Sequence, residues 1–432
     1  MRRVPATILV VLAIAGGIGI GIFAGRAVMN QSPSPSAGIA QATPPSGAFG
    51  SPSGTGGSFG ASSAPSDSAA PSDSPSPSPS PTPVPTPVLV PDPLDGVLVA
   101  PAVAKRHVVG VMIDDLYAAR PQSGLSAASI VWQAPAEGGI PRYLALFSEG
   151  NPPSVGPIRS SRLYFIAWAA EWNAVYAHVG GSPQALALLR TAQGAGKAVW
   201  NADQIRLGNA YMWRINTRFA PHNVYTDARH LQLLVKVTHA PATMNYTPRW
   251  QFGPDPALAQ RPVGGSITVP YLANRIQYSY DRATNTYPRT VSVEGKEFDA
   301  GTKKRIAPKN VVVMFMSFAP LNDGSQKHRL EAQFTGTGKA WVFTDGGLVK
   351  GTWKKASLTA PTYFYGPNGR PVSLAVGQTF VQVVQIGTNV TYKLGKVPPA
   401  PSPSPSASPS PSGFPSPSAS PGAVLEEGRR LL

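Results

Sequence analysis

The chain has 432 residues, with 37 Lys and Arg against 21 Asp and Glu, a formal net charge of +16 and no cysteine. The lack of cysteine excludes disulfides, thiolate metal sites, a cysteine nucleophile and a lipid-modified N-terminal cysteine. Five basic residues (Arg2, Arg3, Arg26, Arg429, Arg430) and five acidic ones (Asp67, Asp73, Asp92, Glu426, Glu427) lie in low-complexity arms, so the middle of the chain keeps the whole basic surplus. Such a surplus suits anionic partners, or is simply the charge of a basic soluble surface.

In chain order, Arg2 and Arg3 precede an uncharged apolar run over residues 4–25. At about 1.5 Å per residue it would span roughly 33 Å, enough for a bilayer core. The basic flank places that end inside and the rest outside. The reading is a single-pass transmembrane anchor within residues 1–30, with the bulk of the chain extracytoplasmic. Secretion after signal cleavage near Phe23-Ala24-Gly25 is the alternative. Residues 31–93 are dominated by Ser, Pro, Gly and Ala, and residues 397–432 repeat that chemistry. Both lack the apolar content for a core and are expected to be a disordered Pro/Ser-rich linker and tail.

Between the arms lie roughly 300 residues, enough for two domains. Strands are expected at 107–113, 129–133, 142–147 and 174–179. Helices are expected at 160–172, capped by Ser160 or Ser161, at 183–190, capped by Ser182 with proline first, and at 229–237. Strands alternating with helices predict an α/β N-terminal domain over residues 94–250. A hairpin at 275–280 and 286–293 follows, then short strands at 310–315, 331–334, 339–344, 348–353, 362–365 and 379–385. Turn signals such as Asp345-Gly346-Gly347 separate them, predicting a mostly-β C-terminal domain over 264–396.

The unusual polar residues cluster between Ala119 and Ala185, in ARPQSGLSAASIVWQAPAEGGIPRYLALF and VGPIRSSRLYFIAWAAEWNAVYAHVGGSPQA. Arg159-Ser160-Ser161-Arg162 puts two cations at an expected helix start, where the helix dipole disfavours them without an anion. That anion is either a phosphate or carboxylate ligand, or an internal partner such as Glu137 or Asp114. His178, at the end of an expected strand before Gly180-Gly181, is either a base or anion donor or a hydrogen-bonded structural histidine. Glu137 pairs either with Asp114 or Asp115 in acid–base work or with Arg120, Arg142 or Arg159 in a salt bridge. His222 sits in the loop RFAPHN. The histidines lack metal-ligand spacing, so no metal is expected. No G-x-S-x-G, P-loop or dinucleotide fingerprint occurs, and no cofactor is expected.

These segments, with RFAPHNVYT, VVVMFM, GKAWVFTDGGLVKGTWKK and GQTFVQVV further on, resemble the YerB-like family of bacterial extracytoplasmic proteins. The resemblance covers roughly residues 97–390. It implies an α/β domain joined to a smaller β-rich one, in proteins that are often lipoproteins, and it brings no reaction, cofactor or catalytic residue. This chain departs by having no cysteine to lipidate, which leaves anchoring to the apolar run. The expected function is a membrane-tethered extracytoplasmic binding or regulatory protein of the cell envelope. Its anion-binding cleft would use Arg120, Glu137, Arg142, Arg159, Ser160, Ser161, Arg162, His178 and His222. The expected partners are the membrane, through the N-terminal helix, and an anionic cell-wall component or a wall-synthesis protein, with no nucleic acid. The alternative is a cell-envelope glycan enzyme, either a phosphotransferase on a lipid-linked pyrophosphate or a glycan hydrolase.

Overall fold

The computed structural model describes residues 87–191 and 198–399. The expected anchor, and most of the expected linker and tail, lie outside the described residues. Among the described residues no helix is long and apolar enough to cross a membrane. The part of the expected linker that is described is built into the fold: Val90–Pro91 pairs with Leu98–Val99, and Asp92 is buried between them.

The first half contributes strands β1 (Val109–Asp114), β2 (Ile130–Pro135), β3 (Pro141–Phe147), β4 (Val175–His178) and β5 (Trp200–Asp203). It also holds helices α1 (Leu163–Ala170), α2 (Pro183–Thr191) and α3 (Ala228–Val237). The second half begins with β6 (Val263–Pro270), β7 (Arg275–Ser279), β8 (Arg289–Val291) and β9 (Gly295–Lys296). It continues with β10 (Asn310–Met316), β11 (Gly336–Thr344), β12 (Gly347–Lys355), β13 (Tyr363–Tyr365), β14 (Thr379–Gln385) and β15 (Thr391–Lys396).

The two halves build one mixed ten-stranded sheet, in the order β13-β12-β11-β10-β14-β2-β3-β1-β4-β5. They join where β14 runs parallel to β2, in the register Thr379↔Ile130 to Gln382↔Gln133. The central strands are buried along their whole length, as in VGVMID and NVVVMFM. A strand covered on both faces reads as a continuous apolar run. One face carries Met112, Trp132, Leu144, Val312 and Val381 beneath α1 and α2. The other face is covered by α3 over the first half and by a five-stranded sheet, β9-β8-β7-β6-β15, over the second.

The expected α/β fold class is corrected, because 39 % of the structure is strand and only 15 % helical. Strand–helix alternation holds only from α1 to β5. Elsewhere in the first half the order β2-β3-β1 is antiparallel and joined by loops and short 3-10 turns, not by crossover helices. The apolar runs 107–113, 129–133 and 142–147 therefore marked strands correctly, but the third runs against the other two.

Helix α1 also starts three residues later than expected. Residues 160–162 are extended because Ser161 bridges Gly181 and its amide donates to the Gly180 carbonyl. Arg162, not a serine, is the N-cap, and no side chain caps the helix. Trp168 of α1 stacks on Trp132 of the sheet at 4.6 Å and 5°, a contact contributing about 0.5–1.5 kcal/mol beyond burial. Asn173 takes the left-handed conformation (φ 47°) that ends this helical segment and turns the chain into β4.

Candidate functional site at the carboxyl edge of the sheet

Strands β1, β2, β4, β5, β10 and β14 all point the same way. Their carboxyl ends therefore share one edge, the usual location of ligand sites in sheets with parallel strands. Asp114 ends β1 and Asp115 follows it, Glu137 follows β2, and His178 and Asp203 end β4 and β5. Side chains from this edge separate into three groups.

The first group opens to solvent. His222 Nδ1 lies 2.6 Å from Asp114 Oδ2. A carboxylate only accepts, so Nδ1 donates the proton of this hydrogen bond. Arg159 Nε lies 2.9 Å from the same Oδ2 but its N–H is not aimed at it, so the contact is electrostatic. The Arg159 side chain keeps 22 % of its exposure and His222 keeps 14 %, whereas Asp114 keeps 3 %. The terminal nitrogens of Arg159 and Nε2 of His222 make no hydrogen bond among the described residues. Burial pulls the Arg159 pKa below its ordinary value, with Asp114 opposing. Tyr117, three residues from Asp114, and Phe219, three from His222, are exposed beside them.

In the second group Glu137 gathers guanidinia. It pairs with Arg142 Nη2 at 2.5 Å and with Arg162, and Arg329 Nε stands 3.8 Å away. Arg329 also pairs with Asp323. Arg142 Nη1 donates to the Ser160 carbonyl at 2.9 Å and Arg162 to that of Ser161. Burial lowers the Arg162 pKa to about 10, with Arg329 adding to the shift, and burial lowers that of Arg142. Three guanidinia against two carboxylates leave one positive charge in surplus. Glu137 is thus the anion that the Arg162 end of α1 requires. Ser160 enters through its carbonyl, and the Ser161 hydroxyl accepts from the buried Tyr176 at 2.9 Å.

The third group is closed. Arg120 pairs with Asp115, Glu294 and Glu297, and Arg289 pairs with Glu297. Gln133 Nε2 and the Tyr143 hydroxyl donate to Asp115 at 2.5 and 2.9 Å, and Arg289 donates to Gln133 Oε1 at 2.7 Å. The side chains of Asp115, Glu297 and Arg289 have no exposed surface. Burial opposes ionisation of Glu297, but Arg289 and Arg120 outweigh it and hold the carboxyl below its usual range. The network joins β1, β2 and β3 to β8, so it ties the five-stranded sheet onto the first half. Arg120 therefore stands apart from Arg159 and Arg162.

His178 is also structural. It is fully buried, with Nδ1 2.8 Å from the Gly180 carbonyl and Nε2 2.8 Å from the Asn201 amide. Burial lowers its pKa, with Asp203 opposing. Gly180 reaches this position at φ 58°, a conformation glycine adopts freely, and its amide donates to Asp203.

Arg329 and Asp323 escaped sequence reasoning because they lie in a loop far along the chain with no local pattern. So did a carboxyl cluster of Asp92, Asp95 and Glu149. Burial raises Glu149 to about 8 and Asp92 to about 6, with neighbouring carboxylates adding to both. Two cavities of about 490 and 610 Å³ lie beyond Glu137, sharing Gly139, Leu272 and Leu330, and not over His222. The larger is lined by Asp323 and Arg329. The smaller is mainly apolar, lined by Pro135, Tyr271, Phe318 and Val384. Neither is lined by Arg159, whose terminal nitrogens stay open, and we place the candidate chemistry at the open group.

The chain matches the family model described as "Protein of unknown function (DUF3048) N-terminal domain" over residues 94–240 and its C-terminal counterpart over residues 267–381. It is 28% identical over 311 residues to YerB of Bacillus subtilis (strain 168), a protein whose name proposes a lipoprotein. That alignment covers 68% of this chain and 85% of the relative. The crystal structure of the Bacillus subtilis YerB protein is similar at a TM-score of 0.62 and 25% identity, over 70% of this chain and 99% of that one. With both halves matched in order and a shared fold behind them, the chain belongs to the YerB-like family of DUF3048 proteins.

Proposed function

We propose that the chain is an extracytoplasmic binding protein of the bacterial cell envelope, and that its ligand is an anion bearing a neighbouring hydroxyl. The observation that carries this is the double use of Asp114 Oδ2. One oxygen holds His222 Nδ1 at 2.6 Å and Arg159 Nε at 2.9 Å, which orients an open guanidinium beside an open imidazole lone pair. A guanidinium fork takes a phosphate or carboxylate, and Nε2 accepts from a hydroxyl on the same molecule. Phosphorylated sugars and polyols have that chemistry. The relative whose name proposes a lipoprotein supports the address.

The test is isothermal titration with glycerol 3-phosphate and with propyl phosphate, which lacks the hydroxyls. Glycerol 3-phosphate should bind more tightly, His222→Ala should make the two equal, and Arg159→Ala should abolish both. If neither ester binds the intact protein, the reading fails.

A second reading is an envelope glycan enzyme that transfers phosphoryl groups from a lipid-linked pyrophosphate. The Asp114–His222 contact favours it, because a carboxylate-oriented imidazole is a general base with Nε2 free to take a proton. Hydrolysis by Asp115 with Glu137 is not favoured, since both carboxylates are committed to arginines. Release of phosphate or product from a labelled lipid-linked substrate, lost in His222→Gln, separates enzyme from binder.

A further inference from the structure

Strands β11, β12 and β13 present a second surface that owes nothing to Arg159. Side chains alternate along a strand, so the even positions of β12 share one face with the odd positions of β11 and β13. The other parity faces the core: Trp353 and Phe364 are buried there, and Lys355 reaches Glu171. The first parity lies on the side covered by the five-stranded sheet, but that cover stops at Tyr392, whose ring meets Trp341 at 5.4 Å. Beyond it Lys339, Lys350 and Lys354 are exposed.

No Asp or Glu occurs in these three strands. Among the described residues none of the three lysines forms an ion pair. Their ammonium groups lie over aromatic rings instead. Lys339 Nζ is 4.3 Å from the Phe315 ring and 4.9 Å from that of Trp341. Lys350 Nζ is 5.3 Å from Trp341 and from Tyr392. Lys354 Nζ is 5.1 Å from Tyr365. These contacts hold long side chains that would otherwise wander, without neutralising them. They also occupy the ring faces, so the surface offers fixed positive points and not a platform for stacking bases. A lysine ammonium is a point charge that binds phosphate without demanding planar bidentate geometry.

We infer that this lysine-and-aromatic face binds a flexible phosphodiester-linked polymer of polyol or sugar units. Charge complementarity selects the occupant. Successive phosphates meet successive lysines, while the uncharged units between them cross the exposed edges of Trp341 and Tyr365. The site is independent of the Asp114 group and stands whether or not that group binds a small anion.

The test uses the intact protein and purified poly(glycerol phosphate), followed by fluorescence anisotropy across a salt series. Binding should weaken with salt, and replacing all three lysines (Lys339→Gln, Lys350→Gln, Lys354→Gln) should weaken it at least tenfold. The same change should flatten the log–log salt slope by about 2, at about 0.7 per phosphate contact on a single strand. Arg159→Ala should leave it unchanged, which separates this surface from the anion site. A charge-matched control (Lys105→Gln, Lys303→Gln, Lys304→Gln) should lose less than twofold, and single Lys350→Gln serves if the triple variant does not fold. Equal loss in the control would reduce the effect to net charge and overturn the site. Tighter binding of polygalacturonate, single-stranded DNA or anionic vesicles than of poly(glycerol phosphate) would overturn the choice of polymer.

Discussion

Asp114 and Asp115 are neighbours of identical chemistry at the end of one strand, yet they serve opposite ends. Asp115 turns inward, where Arg120, Gln133 and Tyr143 saturate it in a closed network. Asp114 turns toward the edge, where its oxygen holds two groups that keep free valences outward. A carboxylate surrounded by complete partners stabilises one arrangement of the chain. A carboxylate that orients incompletely satisfied partners prepares a surface for something else. Counting arginines near acids does not distinguish the two; counting what each arginine has left over does.

The sharpest way to break this comparison is to neutralise each aspartate in turn. Asp115→Asn sets an amide NH2 against the Arg120, Gln133 and Tyr143 donors in a dry site and should cost about 3–5 kcal/mol. Asp114→Asn, with partners that water can reach, should cost about 1–2 kcal/mol. Urea unfolding monitored by tryptophan fluorescence measures both, and equal costs would erase the distinction.

Glu137 lies between these extremes, with its side chain 22 % exposed and three guanidinia around it. Glu137→Gln should cost about 2 kcal/mol, below Asp115→Asn because water reaches the stranded arginines. The same unfolding experiment ranks it, and a cost above that of Asp115→Asn would make this cluster the principal clamp.

The smallest effect concerns Asp92, Asp95 and Glu149, carboxyls that form no ion pair with an arginine among the described residues, although Arg106 opposes the rise at Glu149. Their folded pKa values are raised, to about 8 for Glu149 and about 6 for Asp92. The folded state therefore holds protons that the unfolded state releases, and this contribution falls as pH rises from about 4.5 to about 8. Glu149→Gln should relieve that loss, raising Tm relative to the parent by about 2–4 °C at pH 8 and by little at pH 5. Scanning calorimetry at the two pH values checks it. A gain that is equal at both would show that Glu149 does not hold the proton.

The strands were legible in sequence because burying both faces requires unbroken apolar runs, and the turn residues between them are local signals. Helices α2 and α3 also fall where they were expected; Pro183 signalled the first, and the structure adds the cap of the second at Asp227, whose side chain accepts from the His230 amide. The α/β reading failed because pairing is decided across the chain. The stretches 107–113 and 142–147 look the same whether they run parallel or antiparallel, and only assembly put β1 beside β3 in reverse. The helix expected at Ser160 failed for a related reason, since the bridge from Ser161 to Gly181 holds the chain extended where local propensity allows a helix.

By itself the sequence determined the family, the surplus of positive charge and the residues from which a site could be made. Only the tertiary structure decided that Arg120 is sealed against Glu297 while Arg159 stays open, and that His178 is core while His222 faces out. It also decided that Lys350 and Lys355, both on β12, go to opposite fates. The physical reason is that neighbouring side chains on a strand diverge to opposite faces. Which face is covered depends on segments more than a hundred residues away, such as α1 against β12 and Arg289 against Tyr143.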